Sequence, residues 1–524
     1  GSNRSRPPMK DLAATYDETP YPAGSRASSF PPRIGALARL YGIPAASADQ
    51  ARVLEIGCAQ GGNILPAAAQ FPEARFHGLD LSARQVHDGQ RAILGSGLTN
   101  IRIEQKDFFE FEPDEPFDYI LAHGVFSWMP RERQPEMLER IQAALSPHGV
   151  AFISHNVLPG WHFRNATRAM LRLYARSGET TRSPQDCRAF LGWLAGAAES
   201  FDTGYYPGFL RSQQAHLERC PDAVVVHDLL EEENHALYYT QMQQLARGAG
   251  LQVWADAEAG RSHFYRLPAE ARSAIEAFTA DPEEQEQYAD FVLKQSFRCS
   301  LLCQAGLEVP RAPLPAAFLQ LHLASKLAPS SEVINLDAGN PETFSSGGHA
   351  FETDSPLEKA TFLVLAQNYP ASVPMTDLLS VCENALAQNG HEVTGDMVLN
   401  LCGRIVHAMN DQFITVANCP LRAGSRGGEH PRATACARWQ AGQPDGPVTN
   451  LHHEGIRLSG MPRQLLNLLD GTRGVGELAA SLGSSGDTVA TALRDLMLCG
   501  FLLEPAAQPA EAAPTEAQPE AAGV

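Results

Sequence analysis

An acid stands two residues ahead of a glycine-rich turn in "VLEIGCAQGGN", which runs from Val53 to Asn63. Glycines between a strand and a helix expose backbone N–H groups and let a ligand approach the chain closely. A dinucleotide fold would place G-x-G-x-x-G there to cradle a pyrophosphate. This turn reads Gly57-Cys58-Ala59-Gln60-Gly61, with the Glu55 carboxylate just upstream. A carboxylate repels a pyrophosphate and attracts a cation. S-adenosylmethionine (SAM) fits better, because it carries an ammonium and a sulfonium but no phosphate. Two further acids suit the same ligand. Asp80 in "HGLDLS" is placed to accept both ribose hydroxyls, and Asp107 in "KDFFEF" to take the adenine amino group while Phe108 packs near the ring. Gly57, Cys58, Ala59, Gly61, Asn63 and Leu81 are the other cofactor contacts expected around the turn. A nucleotide-binding or degenerate sheet is the alternative reading. Ala59 stands where a middle glycine is common, and its Cβ is tolerated there if φ is negative.

The elements that must hold these residues alternate. Strands "ARVLEIG", "ARFHGLDLS", "IRIEQKD", "FDYILAH" and "VAFISHN" are separated by helical stretches such as "ARQVHDGQRAILGSG". Short apolar strands spaced by helices predict an α/β fold, a doubly wound, seven-stranded Rossmann-like sheet. Residues 165–222 read as a helical insertion over the end of that sheet. The strand–helix rhythm then returns, with "AVVVHDLL" in strand position, the helix "YYTQMQQLARGAG" and the strand "LQVWADA". Two later units each repeat a plan of three helices and a strand, which predicts winged helices. The expected division is an arm and cap helix over 1–50, the α/β domain over 51–270, a connecting region over 271–350, winged-helix-like units over 351–425 and 426–504, and an Ala/Pro/Glu-rich, disordered tail over 505–524.

A chain of 524 residues is too long for one core. Its formal net charge of −19 argues against nucleic acid as a partner. No stretch approaches the roughly 18 uncharged apolar residues that span a bilayer. The N-terminus lacks an apolar signal core, and the ten cysteines are scattered, so a reducing, cytoplasmic setting is expected. Cys299 and Cys303, four apart in an apolar stretch, read as buried. His452 and His453 in "NLHHEG" would point to opposite faces of a strand, so no metal site is expected.

Longer motifs carry a resemblance. They are "YDETPY" (Tyr16 to Tyr21), "FDYILAHGVFSWMP" (Phe117 to Pro130), "PGWHFR" (Pro159 to Arg164), "VHDLLEEEN" (Val226 to Asn234), "SFRCSLLC" (Ser296 to Cys303) and "LLDGTRGVGELA" (Leu468 to Ala479). With the glycine turn they cover nearly the whole chain. The sequence resembles class I SAM-dependent methyltransferases with a methyltransferase regulatory domain, whose best-known members are rickettsial-type protein lysine methyltransferases. It departs from them in two places. "AGSRASSFPPRI" inserts residues and lacks a Thr-His-Pro, and His155 stands where a Tyr is common. "LLDGTRGVGELA" also resembles winged-helix modules that hold peptides during ribosomal-peptide maturation.

The resemblance implies SAM as cofactor, S-adenosylhomocysteine as product, and a protein or peptide substrate. Tyr16 and Tyr21 are then expected to close over the cofactor. The end of strand four should meet the substrate. His123 is expected to face the cofactor or a proton path, and Trp128 to cap the pocket, with His155 as a third catalytic candidate. Phe126, Asn156, Trp161 and His227 are the candidate substrate contacts. Core packing is the competing reading for each of these aromatic and histidine residues, and a solvated helix start for Glu231, Glu232 and Glu233. Three functions remain in play: lysine N-methylation of a protein or peptide, methylation of a natural product or maturing peptide at another N or O, and a SAM-binding scaffold without turnover. The oligomeric state is open, with a dimer one option.

Overall fold

A computed structural model describes residues 24–505 except 177–181, 202, 259, 261, 412 and 425–427. Tyr16, Tyr21 and the tail from 506 onward lie outside the described residues. The centre is a seven-stranded sheet of β1 (Arg52–Ile56), β2 (Arg75–Asp80), β3 (Ile101–Gln105), β4 (Phe117–Ala122), β5 (Leu145–Asn156), β6 (Leu251–Asp256) and β7 (Phe297–Gln304). Its order is β3-β2-β1-β4-β5-β7-β6. Strands β1 to β5 pair in parallel, whereas β7 runs antiparallel to both β5 and β6. The central strands β1 and β4 are short and almost wholly buried because helices cover both faces. Glu55, Asp80 and Asp107 thus come to neighbouring strand ends, on the edge where ligands gather in open α/β sheets.

One expected strand is a helix. "AVVVHDLL" forms a short turn, Asp222–Val224, that runs into a π-helix, Val225–Leu230. Val225 is buried in the separate core of the insertion with Leu171, Leu191 and Leu210, so packing overrides the β-branched run. The seventh strand is instead "FRCSLLCQ", in which Cys299 and Cys303 are buried. The insertion is helical, as Gly160–Arg176, Pro184–Glu199 and Tyr205–Arg219. Arg298, next to Cys299, is buried with its guanidinium 2.9 Å from Glu286 and 2.7 Å from Asp290, an ion cluster that ties β7 to the helix Pro282–Leu293.

The first later unit has helices Pro356–Asn368, Met375–Gln388 and Gly395–Asn410 beside short antiparallel strands Val373–Pro374, His322–Ala324 and Thr415–Ala417. Its apolar core is continuous with one face of the large sheet. A buried polar knot closes that seam. Asn418 Nδ2 donates to Ala46 O at 2.9 Å and to Tyr119 Oη at 3.0 Å, and its Oδ1 accepts from Ala48 N. Gly35 is required opposite, since a Cβ there would lie 2.1 Å from Asn418 Nδ2. The last unit packs helices Ala435–Ala441, Gly460–Leu468, Val475–Leu482 and Gly486–Leu498 around its own core, which includes Leu465, Leu478, Val489 and Phe501. Among the described residues no helix is long and apolar enough to cross a membrane.

The knot makes a prediction. Asn418→Ala strands the Ala48 N–H in a buried seam and leaves the Ala46 carbonyl to Tyr119 Oη alone, and should cost about 1–3 kcal/mol. Urea unfolding followed by tryptophan fluorescence measures this, and an unchanged midpoint would contradict the role given to Asn418.

Candidate cofactor and active site

The glycine turn is bent by three left-handed residues, Gly57 (φ 69°), Ala59 (φ 51°) and Gly61 (φ 77°). A Cβ at Gly57 would lie 2.5 Å from Val125, and one at Gly61 2.5 Å from Ile103, so space as well as φ demands glycine at both. Ala59 departs from expectation, because its φ is positive rather than negative. A hydrogen bond holds it there, with its N–H donating to Asp80 Oδ2 at 2.7 Å. The other oxygen of Asp80 accepts from Ser82 N at 2.9 Å. Asp80 therefore welds the end of β2 to the turn after β1 while staying half-exposed. Asp107 Oδ1 accepts from Phe109 N at 2.9 Å and so caps a turn in which Phe108 is buried. Cys58 points its thiol beneath the turn, where a Cβ on Gly78 would lie 2.6 Å from the sulfur, so only its backbone faces the ligand side. Leu81 is half-buried at the rim, and its carbonyl accepts from Gln105 Nε2.

Glu55 is the most constrained group. Its carboxylate is buried, Oε1 accepts from Asn63 Nδ2 at 2.9 Å, and no donor among the described residues reaches Oε2. Loss of hydration raises its pKa to about 8, against the opposing pull of the Asn63 hydrogen bond and of Arg26. A buried acceptor lacking a donor calls for a cation from outside the protein. Asn63 opens the helix Ile64–Gln70 but makes no capping bond to it. Its side chain is turned to Glu55 and Ser29 instead, and Oδ1 accepts from Arg26 N at 3.0 Å.

The strand-four end lies beside this turn. His123 is half-buried between Phe152 and Phe297, each ring 6.1 Å away. Burial and the charge of Arg26 lower its pKa to about 3, so it is neutral and a poor proton acceptor near pH 7. Trp128 is half-buried and meets Trp161 edge-on at 6.0 Å. Several expected contacts turn inward. Phe126 and Trp161 are buried, as packing that supports the rim. His155 lies near the carboxyl end of β5, as its penultimate residue, but it is buried opposite Arg298, with Nε2 2.9 Å from Ser300 Oγ. Burial and Arg298 lower its pKa to about 4, and the catalytic role expected of it finds no support in this geometry. Asn156 is buried and joins Ser127 Oγ to Asn234 Oδ1, which anchors the segment after the π-helix against the strand-four loop. His227 is buried within the π-helix. Glu231, Glu232 and Glu233 follow that helix rather than starting one, and Glu232 pairs with Arg172 and Arg176. Asp228 beside them is pushed up to about 6 by burial.

Comparison with known proteins shows the family and the cofactor. Family models match a methyltransferase domain over residues 54–151, a predicted methyltransferase regulatory domain over 221–304, and a PKMT C-terminal winged helix domain over 429–489. An uncharacterized protein of Rickettsia prowazekii, RP028, is 32% identical over 235 residues, which are 44% of this chain and 94% of that one. The chain belongs to the class I SAM-dependent methyltransferases of this regulatory-domain family. A second uncharacterized R. prowazekii protein, RP789, is 28% identical over 466 residues, 87% of this methyltransferase and 83% of that protein. The solved structure of PKMT2 from Rickettsia typhi aligns with a TM-score of 0.78 at 25% identity, over 92% of this chain and 100% of that one. The same protein in complex with AdoHcy aligns at 0.79 and 24% identity. The cofactor of this methyltransferase is SAM, and the orphaned Glu55 oxygen fits its ammonium.

Sequence reasoning missed Arg26, Ser29 and His453. Arg26 and Ser29 lie in the arm segment that departs from the family pattern, and only the fold brings His453 across 390 positions to Asn63.

Two predictions concern the turn. Ala59→Gly removes a left-handed Cβ that costs about 1–2 kcal/mol, partly offset by the freer unfolded chain, and should raise thermal stability slightly without loss of SAM binding. Glu55 is largely protonated below about 8, and the ammonium needs it ionised. SAM affinity should therefore rise by up to about tenfold per pH unit between pH 6 and 8. Calorimetry in buffers of different ionisation enthalpy should show a proton released on binding at pH 7, and Glu55→Gln should abolish that release.

Proposed function

We propose that this methyltransferase N-methylates lysine side chains of a protein or peptide. The observation that carries this reading is the aromatic rim at the end of β4, where half-buried Trp128 shares a turn with buried Phe126 and meets Trp161 edge-on, and the Arg164 guanidinium already lies 5.4 Å from the centre of the Trp161 ring. Enzymes that methylate the planar amines of adenine or glutamine place an Asn/Asp-Pro-Pro-Tyr segment there, and "AHGVFSWMP" has none. A lysine amine attacks only when neutral, and apolar surroundings lower its pKa by desolvation. An indole face then holds the methylammonium that forms. The likeness to PKMT2 extends over 92% of the chain and so includes the winged helices, which supports a polypeptide substrate over a small one.

In this reading SAM supplies a methyl group on a sulfonium, already activated for in-line transfer. The protein contributes position and a dry slot. Glu55 takes the ammonium of the amino-acid end, with Asn63 orienting the carboxylate. Asp80 and Leu81 meet the ribose, Asp107 and Phe108 the adenine, and the backbone of Gly57, Cys58, Ala59 and Gly61 lies against the ligand. His123, held neutral between two phenyl rings, walls the methyl path without adding charge. The cysteines are all free thiols, which supports a cytoplasmic setting.

Labelled SAM with candidate proteins, followed by mapping of the modified residues, tests the acceptor. Label on lysine is expected, and label confined to small molecules would refute a polypeptide substrate. Trp128→Ala should lower kcat/KM for the peptide roughly three- to thirtyfold, the worth of a cation–π contact, while leaving SAM affinity within about twofold.

A further inference from the structure

Two adjacent histidines of the C-terminal unit diverge at a turn closed by Asn450, whose Oδ1 accepts from both His452 N and Glu454 N. His452 turns to the neighbouring unit, with Nε2 2.9 Å from Pro370 O and its ring 5.5 Å from that of Tyr369. His453 takes a left-handed backbone (φ 64°) and turns the other way, toward the sheet. It is buried, lies flat on Phe30 with ring centroids 4.4 Å apart and planes 8° apart, and brings Nε2 to 3.0 Å from Asn63 Oδ1. Because the amide nitrogen of Asn63 faces Glu55, its carbonyl faces the imidazole, and Nε2–H donates. Burial lowers the pKa of His453 to about 3, so this neutral donor persists at physiological pH. A second contact runs alongside, with Thr449 Oγ1 3.2 Å from Ser25 Oγ next to Arg26.

We infer that the C-terminal winged helix is a working part of the cofactor site: His453 is a positioning residue that fixes Asn63, and through it aims the open oxygen of Glu55 at the ammonium of SAM. A left-handed non-glycine residue is costly, and an asparagine that forgoes its helix cap gives up a stabilising bond. Both costs are met at one point, where three distant segments meet around the buried acceptor: Arg26 and Ser29 before the sheet, Glu55 and Asn63 within it, and His453 from the far end of the chain. The geometry gives the amino-acid end of the cofactor a dependence on a unit that contributes nothing to the sheet. This inference rests on the reading that SAM places its ammonium at Glu55.

The test uses the full chain and four proteins: wild type, His453→Phe, Glu55→Gln and the double variant. His453→Phe keeps a flat ring on Phe30 and removes the donor. SAM affinity by calorimetry should fall roughly three- to tenfold in His453→Phe, the range for one hydrogen bond. The KM for SAM should rise in step while kcat stays near wild type. His453→Gln, which restores an N–H, should recover most of the loss. In the double variant the two effects should be less than additive, because both act through one carboxylate. If His453→Phe folds poorly, the cycle is run with His453→Asn, whose shorter amide falls short of Asn63. Wild-type affinity in His453→Phe or His453→Asn, or full additivity with Glu55→Gln, would overturn the inference. An equal loss in His453→Phe and His453→Gln together with a lowered melting temperature would also overturn it, by assigning His453 to packing. A Glu55→Gln variant that binds SAM as well as wild type marks the different failure, that of the underlying reading.

Discussion

Glu55 is a carboxylate held inside the protein with one oxygen hydrogen-bonded and the other not. Burial keeps such a group protonated near neutral pH until a cation completes it, and much of the surrounding structure serves to keep it in that state. Strand β1 delivers it to the sheet edge. The left-handed turn that follows makes room in front of it, and glycine is forced at two points by the side chains of Val125 and Ile103. Asn63 abandons its helix to hold one oxygen, and Asp80 holds the turn by its backbone. The site is therefore an arrangement of unmet demand, in which the ligand supplies the missing partner.

The carboxyl ends of β4 and β5 are built differently. There the expected reactive side chains are mostly buried supports of an aromatic rim. Phe126, Trp161 and His155 fix the shape from behind, and Asn156 ties the strand-four loop to the segment after the π-helix. This division suits a reaction whose chemical drive resides in the cofactor. In the proposed reading the acids hold the cofactor and the aromatic rim receives the acceptor.

The sheet and the three acids were legible because period-2 apolar strands, a glycine turn and acids at strand ends follow from local rules. Failures came where long-range packing decided. "AVVVHDLL" has the composition of a strand but is wound into a π-helix by the core it shares with Leu171 and Leu191. The Cβ of Ala59 was reasoned to be tolerated if φ is negative, whereas φ is positive and a hydrogen bond from its N–H to the neighbouring strand end holds it there. His155 does lie at the carboxyl end of β5, yet β7, running antiparallel, pairs with β5 there, and the side chain is buried. The "HH" of "NLHHEG" has opposed directions, as reasoned, but in a turn, and nothing in the local sequence pointed to Asn63 as the destination of His453.

The seam at Asn418 also bears on how the chain is born. Its amide seals the backbone of Ala46, a residue 372 positions earlier, over an apolar surface shared by the sheet and the first later unit. At ribosomal speeds of roughly 5–20 residues per second, that surface waits on the order of 20–75 s for its cover. During this interval the nascent sheet displays an uncovered greasy flank. Slower translation lengthens that exposure, so rapid synthesis of the segment that carries the cover is what protects the nascent sheet.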